Sequence, residues 1–255
     1  MKMLEKKVAL VVGTSSGIGY GTALRFAKEG ATVIASARRL EKLEELKKDA
    51  LERGFEGEIV PYKCDIMVEA ELDAMVKFAI DNYGRIDILA CIAQNGMLDQ
   101  RFTMDVNAEN AHLFFDGGPL YTLQLIQKCM PYFEKQHFGR IITCASGAGV
   151  GSTPGFTSYS MAKAATIALT RICAKEFAKF GVTTNCFLPI AMADSFSTSD
   201  QSAEALEFLK STIPVGYVGL PFEDISPMLA FLASDDAKYV NGQFIGLDGG
   251  CVELV

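Results

Sequence analysis

The stretch "VALVVGTSSGIGYGTALRF", residues 8–26, joins a short apolar run to a glycine-rich turn and then to a segment with helical periodicity. Its glycines follow the pattern Gly13-x-x-x-Gly17-x-Gly19. Glycines let a backbone approach a pyrophosphate closely, and a helix N-terminus offers free N–H groups and a favourable dipole. A plain strand–helix turn is the alternative, but because the motif follows a strand and opens a helix, we interpret it as a nucleotide phosphate loop. The loop residues predicted to bind the cofactor are Gly13, Ser15, Ser16, Gly17, Ile18 and Gly19.

Outward from this loop, short apolar runs alternate with longer segments of helical periodicity. Strands that are apolar on both faces and separated by helices require a parallel sheet that is covered on both sides. The predicted strands are Lys7–Val12, Ala31–Ala35, Glu58–Cys64, Ile86–Ile92, Gly139–Cys144, Val182–Leu188 and Gln243–Leu247. The predicted helices are Gly19–Glu29, Leu40–Arg53, Glu69–Tyr83, Leu120–Lys135, Ser158–Phe180 and Ser202–Ser211. No linker, charge block or repeat divides residues 1–255, so we expect a single α/β domain: a Rossmann-type, doubly wound, seven-stranded parallel sheet with helices on both faces.

The composition argues against several classes of partner. The formal net charge is −7, which disfavours nucleic acid or an anionic membrane as the main partner. Seven scattered cysteines form no C-x-x-C pair and only two histidines are present, so neither a zinc site nor a disulfide framework is expected. The apolar run from Val8 to Val12 is too short for a signal peptide or a membrane span. We therefore expect a cytoplasmic protein with reduced thiols and no bound metal.

The end of the second predicted strand, in "VIASARRLEKL", bears on the choice of cofactor. In NAD-binding folds an acidic residue near this point binds the ribose hydroxyls, whereas arginine suits a 2′-phosphate. Ala37 occupies the usual acidic position here, and Arg38 and Arg39 follow it. Two adjacent arginines can also begin a solvated helix, but the pattern favours NADP(H) over NAD(H). Asp65, after the third strand, is either a residue near the adenine or an ordinary turn aspartate.

The reactive side chains are predicted in "GRIITCASGAGVGSTPGFTSYSMAK", residues 139–163, which has the pattern of a strand, a glycine–serine loop and a helix. Tyr159 and Lys163 are four residues apart and would share one face of that helix. Ser146 follows the strand at its carboxyl end, where doubly wound folds place ligands. The positive charge of Lys163 would favour the phenolate of Tyr159 and would hold a nicotinamide ribose. Tyr159 would then exchange a proton with a carbonyl or an alcohol, while Ser146 hydrogen-bonds the same oxygen.

Together these motifs resemble the short-chain dehydrogenase/reductase family over essentially the whole chain. Further matches are Asp65, "GRIDIL" at 84–89, Asn185 with Pro189, and "GQFIGLDGG" at 242–250. The resemblance implies an NAD(P)-dependent oxidoreductase that forms a homotetramer or homodimer through the helices of residues 120–135 and 158–180. It also implies a mobile lid over a small-molecule substrate at about residues 190–217. The remaining cofactor contacts that it implies are Ile66, Ala93, Pro189, Ala191 and Met192.

Three features depart from the family pattern. The family's Asn-Asn-Ala-Gly after the fourth strand is replaced by Cys91-Ile92-Ala93-Gln94. The family's catalytic asparagine, which supports a proton relay from the lysine, falls by spacing near Gly118. Asn107 resembles the asparagine motif but lies about eleven residues too early, a distance of about three helical turns. The usual threonine after the sixth strand becomes Asp194, which would accept a hydrogen bond from the nicotinamide amide.

These departures, with "ASGAG" around the serine, resemble bacterial 12α-hydroxysteroid dehydrogenases that act on bile acids, so a steroid alcohol or ketone is the first hypothesis for the substrate. Apolar residues of the predicted lid could close over such a ligand or could pack a lid helix onto the domain. They are Ile190, Met192, Phe196, Leu206, Phe208, Leu209, Ile213 and Tyr217. The second hypothesis is a 3-oxoacyl thioester reductase, although residues 190–227 offer an acidic carrier protein only one Lys or Arg, Lys210. The third is a scaffold that binds NADP(H) without turnover.

Overall fold

A seven-stranded parallel sheet forms the centre of the protein, which we describe from a computed structural model covering residues 2–97, 99–151, 153–192 and 200–252. The strands are β1 (Val8–Val12), β2 (Thr32–Ala37), β3 (Glu58–Lys63), β4 (Ile88–Cys91), β5 (Gly139–Cys144), β6 (Val182–Pro189) and β7 (Phe244–Leu247). Their order across the sheet is β3-β2-β1-β4-β5-β6-β7, so the winding reverses between β1 and β4. The predicted doubly wound α/β fold is confirmed.

Eight α-helices connect the strands within the described residues. They are α1 (Gly17–Lys28), α2 (Leu40–Glu52), α3 (Glu69–Tyr83), α4 (Ala108–Phe115), α5 (Tyr121–Gln136), α6 (Thr157–Phe177), α7 (Asp200–Thr212) and α8 (Ser226–Ala233). Short π-helical segments at Asp116–Leu120 and Pro221–Ile225 precede α5 and α8. The sequence analysis missed α4 and α8. Helix α4 is eight residues long and runs into Gly-Gly-Pro, and α8 is almost wholly apolar, so neither shows a clear amphipathic period.

Two apolar clusters cover the two faces of the sheet. Every residue of β1 is buried, and its side chains alternate between the clusters: Ala9 and Val11 belong to one, Leu10 and Val12 to the other. The first cluster also takes side chains from α1 and α8, and the second takes them from α3 and α5. Each large apolar side chain that is fully buried contributes about 1.5–3 kcal/mol, so burial on both faces is what makes this sheet stable.

The register of the strands brings the carboxyl ends of the central strands to one edge of the sheet. Val12 of β1 pairs with Ser36 of β2 and with Cys91 of β4, and Cys91 pairs in turn with Thr143 of β5. Each of these strand ends leads directly into a segment that the sequence analysis assigned to the cofactor or to the reaction. The fold therefore gathers these segments at a single edge.

None of the described helices combines the length and the apolar character needed to cross a membrane. Across the ranges that the structure covers, no group of three or more His, Cys, Asp or Glu side chains could hold a metal ion. All seven cysteines have free thiols, and five of them are buried. Burial raises the pKa of the Cys91 thiol to about 12, which keeps it protonated at neutral pH.

Candidate active site

The loop between β1 and α1 has a backbone shape suited to a closely bound ligand. Gly13 has a φ of +99°, and a Cβ placed on it would lie 2.7 Å from the Ala93 nitrogen. A Cβ on Gly19 would overlap the Gly13 carbonyl oxygen, so only glycine fits there. Helix α1 begins at Gly17, and within the described chain its N-cap residue Ser16 makes no side-chain hydrogen bond to the first turn. The N–H groups of that turn are therefore left for an anion.

This loop forms one wall of a cleft of about 530 Å³ at the carboxyl edge of the sheet. The predicted cofactor residues that line the cleft are Gly13, Ser15, Ser16, Gly17, Ile18, Gly19, Arg38, Arg39, Ile66, Ala93, Ala191 and Met192. Pro189, the last residue of β6, is half-buried and is not among the described lining residues, although Ala191, two positions later, is one of them. Asp65, Tyr159 and Lys163 are likewise not among the described lining residues, so the structure brings twelve of the sixteen predicted cofactor residues together around one space, and their binding roles stay predictions.

Two arginines stand on this cleft at the end of β2. Arg39 Nη2 donates a hydrogen bond to Ser15 Oγ at 2.9 Å and so bridges β2 to the phosphate loop. Both Arg38 and Arg39 are exposed, and the arginine ion pairs of the described residues involve other arginines instead: Arg25, Arg53, Arg85 and Arg101. Ala37, half-buried at the end of β2, offers no carboxylate. Two positive charges that form no ion pair within the described part of the chain suit a phosphate.

Asp65 makes the contacts of a turn aspartate. Its Oδ1 accepts a hydrogen bond from the Met67 nitrogen at 3.0 Å, and its own nitrogen donates to Glu71 Oε2 at 2.7 Å. Its two neighbours, Cys64 and Ile66, line the cleft on either side of it. These hydrogen bonds agree with the interpretation of Asp65 as an ordinary turn aspartate, and a contact of Asp65 with adenine stays a prediction.

Ser146 follows the end of β5, and the short turn after it packs against α6, the helix that carries Tyr159 and Lys163. Ser146 Oγ accepts a hydrogen bond from the Ala148 nitrogen at 3.2 Å and caps a short 3₁₀ turn. Lys163 is only 3% exposed, and its Nζ donates to the Cys144 carbonyl at 2.8 Å. The same Nζ lies 5.5 Å from the centroid of the Tyr159 ring, because the two residues are one turn apart in α6. Cys144 lines the cleft, whereas Ser146, Tyr159 and Lys163 are not among its described lining residues, so Lys163 reaches the cleft wall through its hydrogen bond to Cys144.

Aromatic rings hold Tyr159 from two sides. The rings of Phe114 and Phe156 pack against it at steep angles, with centroids 6.1 Å and 6.0 Å away, an arrangement that aromatic pairs prefer. Phe114 is fully buried and comes from α4, the helix that the sequence analysis missed. Asn110 of the same helix accepts a hydrogen bond from Ser158 Oγ and so ties α4 to α6. No spacing or periodicity in the sequence marks these supporting residues.

The structure separates the two candidates for the missing asparagine. Asn107 is the exposed N-cap of α4, and its Oδ1 accepts from the Asn110 nitrogen at 2.8 Å, so its observed role is to cap a helix. Gly118 lies in the π-helical segment between α4 and α5, and a Cβ placed on it would lie 2.7 Å from Gln94 Oε1. An amide therefore does occupy the space beside position 118, but the loop after β4 supplies it.

The predicted lid is covered in part by the described residues, and Asp194 and Phe196 lie outside them. Phe208 on α7 is exposed, whereas Ile213, just after that helix, is buried. Met192 donates from its nitrogen to the Gly219 carbonyl at 2.8 Å, which holds the segment that leaves β6 at the cleft. Of these two lid residues, Ile213 thus packs onto the domain and Phe208 is exposed, and a contact with a ligand stays a prediction.

Comparisons with known proteins define the class. Residues 12–252 match a family model described as Enoyl-(Acyl carrier protein) reductase. The chain is 35% identical over 249 residues to a 3-oxoacyl-[acyl-carrier-protein] reductase of Thermotoga maritima, covering 98% of this chain and 99% of that protein. It is 32% identical over 257 residues to a 12alpha-hydroxysteroid dehydrogenase of Clostridium sp., covering 98% of both. A solved structure of a 7α-hydroxysteroid dehydrogenase complexed with NADH and 7-oxo glycochenodeoxycholic acid matches with a TM-score of 0.88 at 28% identity, covering 98% of this chain and 96% of that one.

The chain therefore belongs to the short-chain dehydrogenase/reductase family, as the sequence motifs predicted. It is an oxidoreductase that acts on CH–OH groups, and its cofactor class is the nicotinamide dinucleotides, NAD(H) or NADP(H). This assignment removes the hypothesis of a scaffold without turnover.

Proposed function

We propose that the protein is an NADP(H)-dependent oxidoreductase that interconverts a secondary alcohol and a ketone, and that its substrates are hydroxysteroids of the bile-acid type. The observation that carries the proposal is that Lys163 lies one turn from Tyr159 on α6 and is bonded to the carbonyl of Cys144, a residue that lines the cleft and precedes Ser146 by two positions. A proton donor, a second hydroxyl and a buried cation are the groups that carbonyl reduction requires.

The cleft fits a dinucleotide. A Cβ on Gly17 would meet nothing within 4 Å, so the loop leaves open space beside the first turn of α1. Gly13 and Gly19 bring the backbone close to that space, and Arg38 with Arg39 supplies the charge that a 2′-phosphate requires. When bound, the nicotinamide supplies or accepts the hydride of the reaction.

The side chains of this chain would move the proton. In the reducing direction Tyr159 would donate its phenolic proton to the substrate oxygen, and in the oxidising direction it would accept one. The observed hydrogen bond of Ser146 uses its Oγ as an acceptor, which leaves its hydroxyl proton for the same substrate oxygen. The buried cation of Lys163, fixed by the Cys144 carbonyl, would stabilise the phenolate formed on proton transfer. The rings of Phe114 and Phe156 would limit the access of water.

An apolar rim beside Tyr159 supports a large apolar substrate. Phe102 and Met104 are 63% and 94% exposed. Between them, Thr103 Oγ1 lies 3.0 Å from Thr157 Oγ1, so their loop is anchored to the first residue of α6, two positions before Tyr159. Exposed apolar side chains grouped beside a reactive site mark a binding surface for an apolar ligand.

A 3-oxoacyl thioester reductase is the second candidate, because the Thermotoga maritima relative carries that name at 35% identity. An acidic carrier protein would need exposed cations besides Arg38 and Arg39, which the proposal assigns to the 2′-phosphate. Lys210 is paired with Glu207 at 2.6 Å and Arg101 with Asp99 at 2.8 Å, so their charges are largely neutralised. This pairing favours the steroid over a carrier-bound substrate.

The test follows the absorbance of reduced nicotinamide while the purified protein meets NADP⁺ and a panel of hydroxylated bile acids. We expect the absorbance to rise with substrates that carry a hydroxyl at one particular ring position. A second arm offers NADPH with 3-oxoacyl thioesters of coenzyme A and of a carrier protein. Turnover of the thioesters alone would replace the steroid proposal with the second candidate, and turnover of neither class by protein that binds the cofactor would refute both.

The cofactor preference has its own test in Arg39→Ala. Losing a charge-assisted hydrogen bond to a phosphate should raise the Kd for NADPH by about tenfold or more while changing the Kd for NADH much less. Binding can be measured from the fluorescence of the reduced cofactors. Lys48→Ala removes another exposed cation, on α2, and serves as the control. An equal loss for both cofactors would contradict a 2′-phosphate site and would point to the contact between Arg39 and Ser15.

We also propose a homotetramer that packs through α5 and α6, with a homodimer as the smaller alternative, and a lid formed by residues 190–217. Met161 and Ile172 are large apolar side chains exposed on α6, which such an interface would cover. Ala191 and Met192, at the start of the proposed lid, line the cleft, which supports a lid in this part of the chain. Light scattering after size-exclusion chromatography tests the assembly, and a monomeric mass would refute it.

A further inference from the structure

The loop after β4 and the junction between α4 and α5 pack as an interlock, in which side chains of the loop fill the space beside two glycines of the junction. A Cβ placed on Gly118 would lie 2.7 Å from Gln94 Oε1, and one placed on Gly117 would lie 2.5 Å from Asn95 Cβ. Neither glycine has a positive φ, so space rather than backbone conformation requires glycine there. Two polar side chains of the loop thus fill the volume that two helix side chains would otherwise take.

The amide of Gln94 is held by backbone carbonyls on one side only. Its Nε2 donates to the Phe114 carbonyl and to the Asn95 carbonyl, each at 3.0 Å. Its Oε1 is buried and has no hydrogen-bond partner among the described residues. An unpaired buried amide oxygen is destabilising, and such costs are retained mainly at functional sites. An apolar side chain would fill the space beside Gly118 without that cost, so packing alone does not account for a glutamine.

The hydrogen bond from Gln94 to the Phe114 carbonyl connects Gln94 to Tyr159, the proposed proton donor. Phe114, whose carbonyl it holds, packs its ring against the ring of Tyr159 with centroids 6.1 Å apart. Gln94 also lines the cofactor cleft, next to Ala93, whose nitrogen faces Gly13. It therefore joins the wall of the cleft to the aromatic side of Tyr159.

We propose that Gln94 is a positioning residue: its amide fixes Phe114 and thereby sets the orientation of Tyr159 relative to the cofactor cleft. The inference rests on the proposed function for the role of Tyr159 as proton donor. Gln94 acts through Phe114 and does not itself contact the reacting atoms, because its free oxygen is buried against Gly118.

The first test is Gln94→Met, which keeps the volume beside Gly118 and removes the amide. We expect kcat to fall about tenfold, the effect of losing one net hydrogen bond, with the KM for cofactor and the Kd for NADPH nearly unchanged. The pH–rate profile of kcat/KM should change, because the orientation of the proton donor is affected. Gln243→Met removes another amide that donates to a backbone carbonyl, at an exposed position outside the cleft and outside α5 and α6, and should leave all of these values unchanged. A Gln94→Met enzyme with wild-type kcat and pH profile would overturn the proposal.

The second test measures the interlock without relying on activity alone. Gly118→Asn should lower the midpoint of thermal unfolding while Gln94 is present, because the new side chain would clash with the Gln94 side chain. In a Gln94→Gly background the same asparagine should be tolerated and should recover kcat at least about fivefold relative to Gln94→Gly alone. Effects that simply add would overturn the interlock. A wild-type protein that binds NADPH but turns over no substrate would refute the proposed function, and with it the role of Gln94 in positioning, whereas the unfolding midpoints would still decide the interlock.

Discussion

The two ends that we propose for the cleft, a phosphate end at residues 13–19 and a chemical end around Tyr159, are built in opposite ways. The phosphate end comes from residues 13–19, one continuous stretch whose shape depends on the φ of Gly13 and on the packing of Gly19 against the Gly13 carbonyl. The chemical end takes side chains from four separate segments: Gln94 after β4, Phe114 on α4, Ser146 after β5 and Tyr159 on α6.

The difference follows from what each end offers its ligand. A phosphate is bound by backbone N–H groups, which cannot move to another element without moving the loop itself. Proton transfer needs side-chain atoms at the right place, and any element that reaches that place can supply them. The amide beside Gly118 illustrates this freedom, since it reaches the α4–α5 junction from a loop.

The largest effect is expected at the chemical end, from Tyr159→Phe. Removing the acid/base hydroxyl should lower kcat by between about 10²-fold and 10⁴-fold. NADPH binding should persist, because the phosphate loop and the arginines are untouched. Activity is followed by reduced-nicotinamide absorbance and binding by cofactor fluorescence. Tyr239→Phe alters a tyrosine that is 99% exposed and provides the matched control. Full activity in Tyr159→Phe would show that Tyr159 is not the proton donor and that the chemical end is not where we place it.

A smaller effect is expected at the phosphate end, from Gly19→Ala. The added Cβ would overlap the Gly13 carbonyl, and the loop must shift at a cost of about 1–3 kcal/mol in the free energy of unfolding. NADPH binding should weaken in parallel, unlike in Tyr159→Phe. Urea unfolding and cofactor fluorescence measure the two effects. Gly151→Ala is the control, since a Cβ there would meet its nearest neighbour at 3.6 Å. A Gly19→Ala protein with wild-type affinity for NADPH would show that the loop shape is less exacting than we infer.

The smallest effect is expected from Asn107→Ala, outside both ends. Loss of the N-cap of α4 should reduce the free energy of unfolding by about 1 kcal/mol. The kcat should stay at the wild-type value, because the side chain caps a helix and is exposed. Thermal unfolding and steady-state kinetics on the same preparation decide the matter. A collapse of kcat with unchanged stability would make Asn107, rather than Gln94, the amide that supports the reaction.

Most of the fold could be predicted because its signals are local. The run "VALVV" of β1 is apolar at every position, and the structure divides it between two clusters as a strand buried on both faces requires. Helix α4 gave no such signal, since eight residues followed by Gly-Gly-Pro have the pattern of a turn. The candidate site divides in the same way: Gly13, Gly17 and Gly19 announce a phosphate loop, whereas nothing near Phe114 in the sequence indicates a contact with Tyr159.

The sequence by itself determined the glycine loop, the places of the seven strands along the chain and the spacing of Tyr159 and Lys163, because each depends on neighbours along the chain and on the fixed geometry of one helix, strand or turn. Only the tertiary structure decided that Arg39 reaches Ser15, that Asn107 caps a helix, and that Gln94 lies against Gly118. The first and last of these contacts join separate segments, and whether their side chains meet depends on how the helices pack on the sheet. A single glycine at position 118 is meaningful only beside the side chain that fills its space.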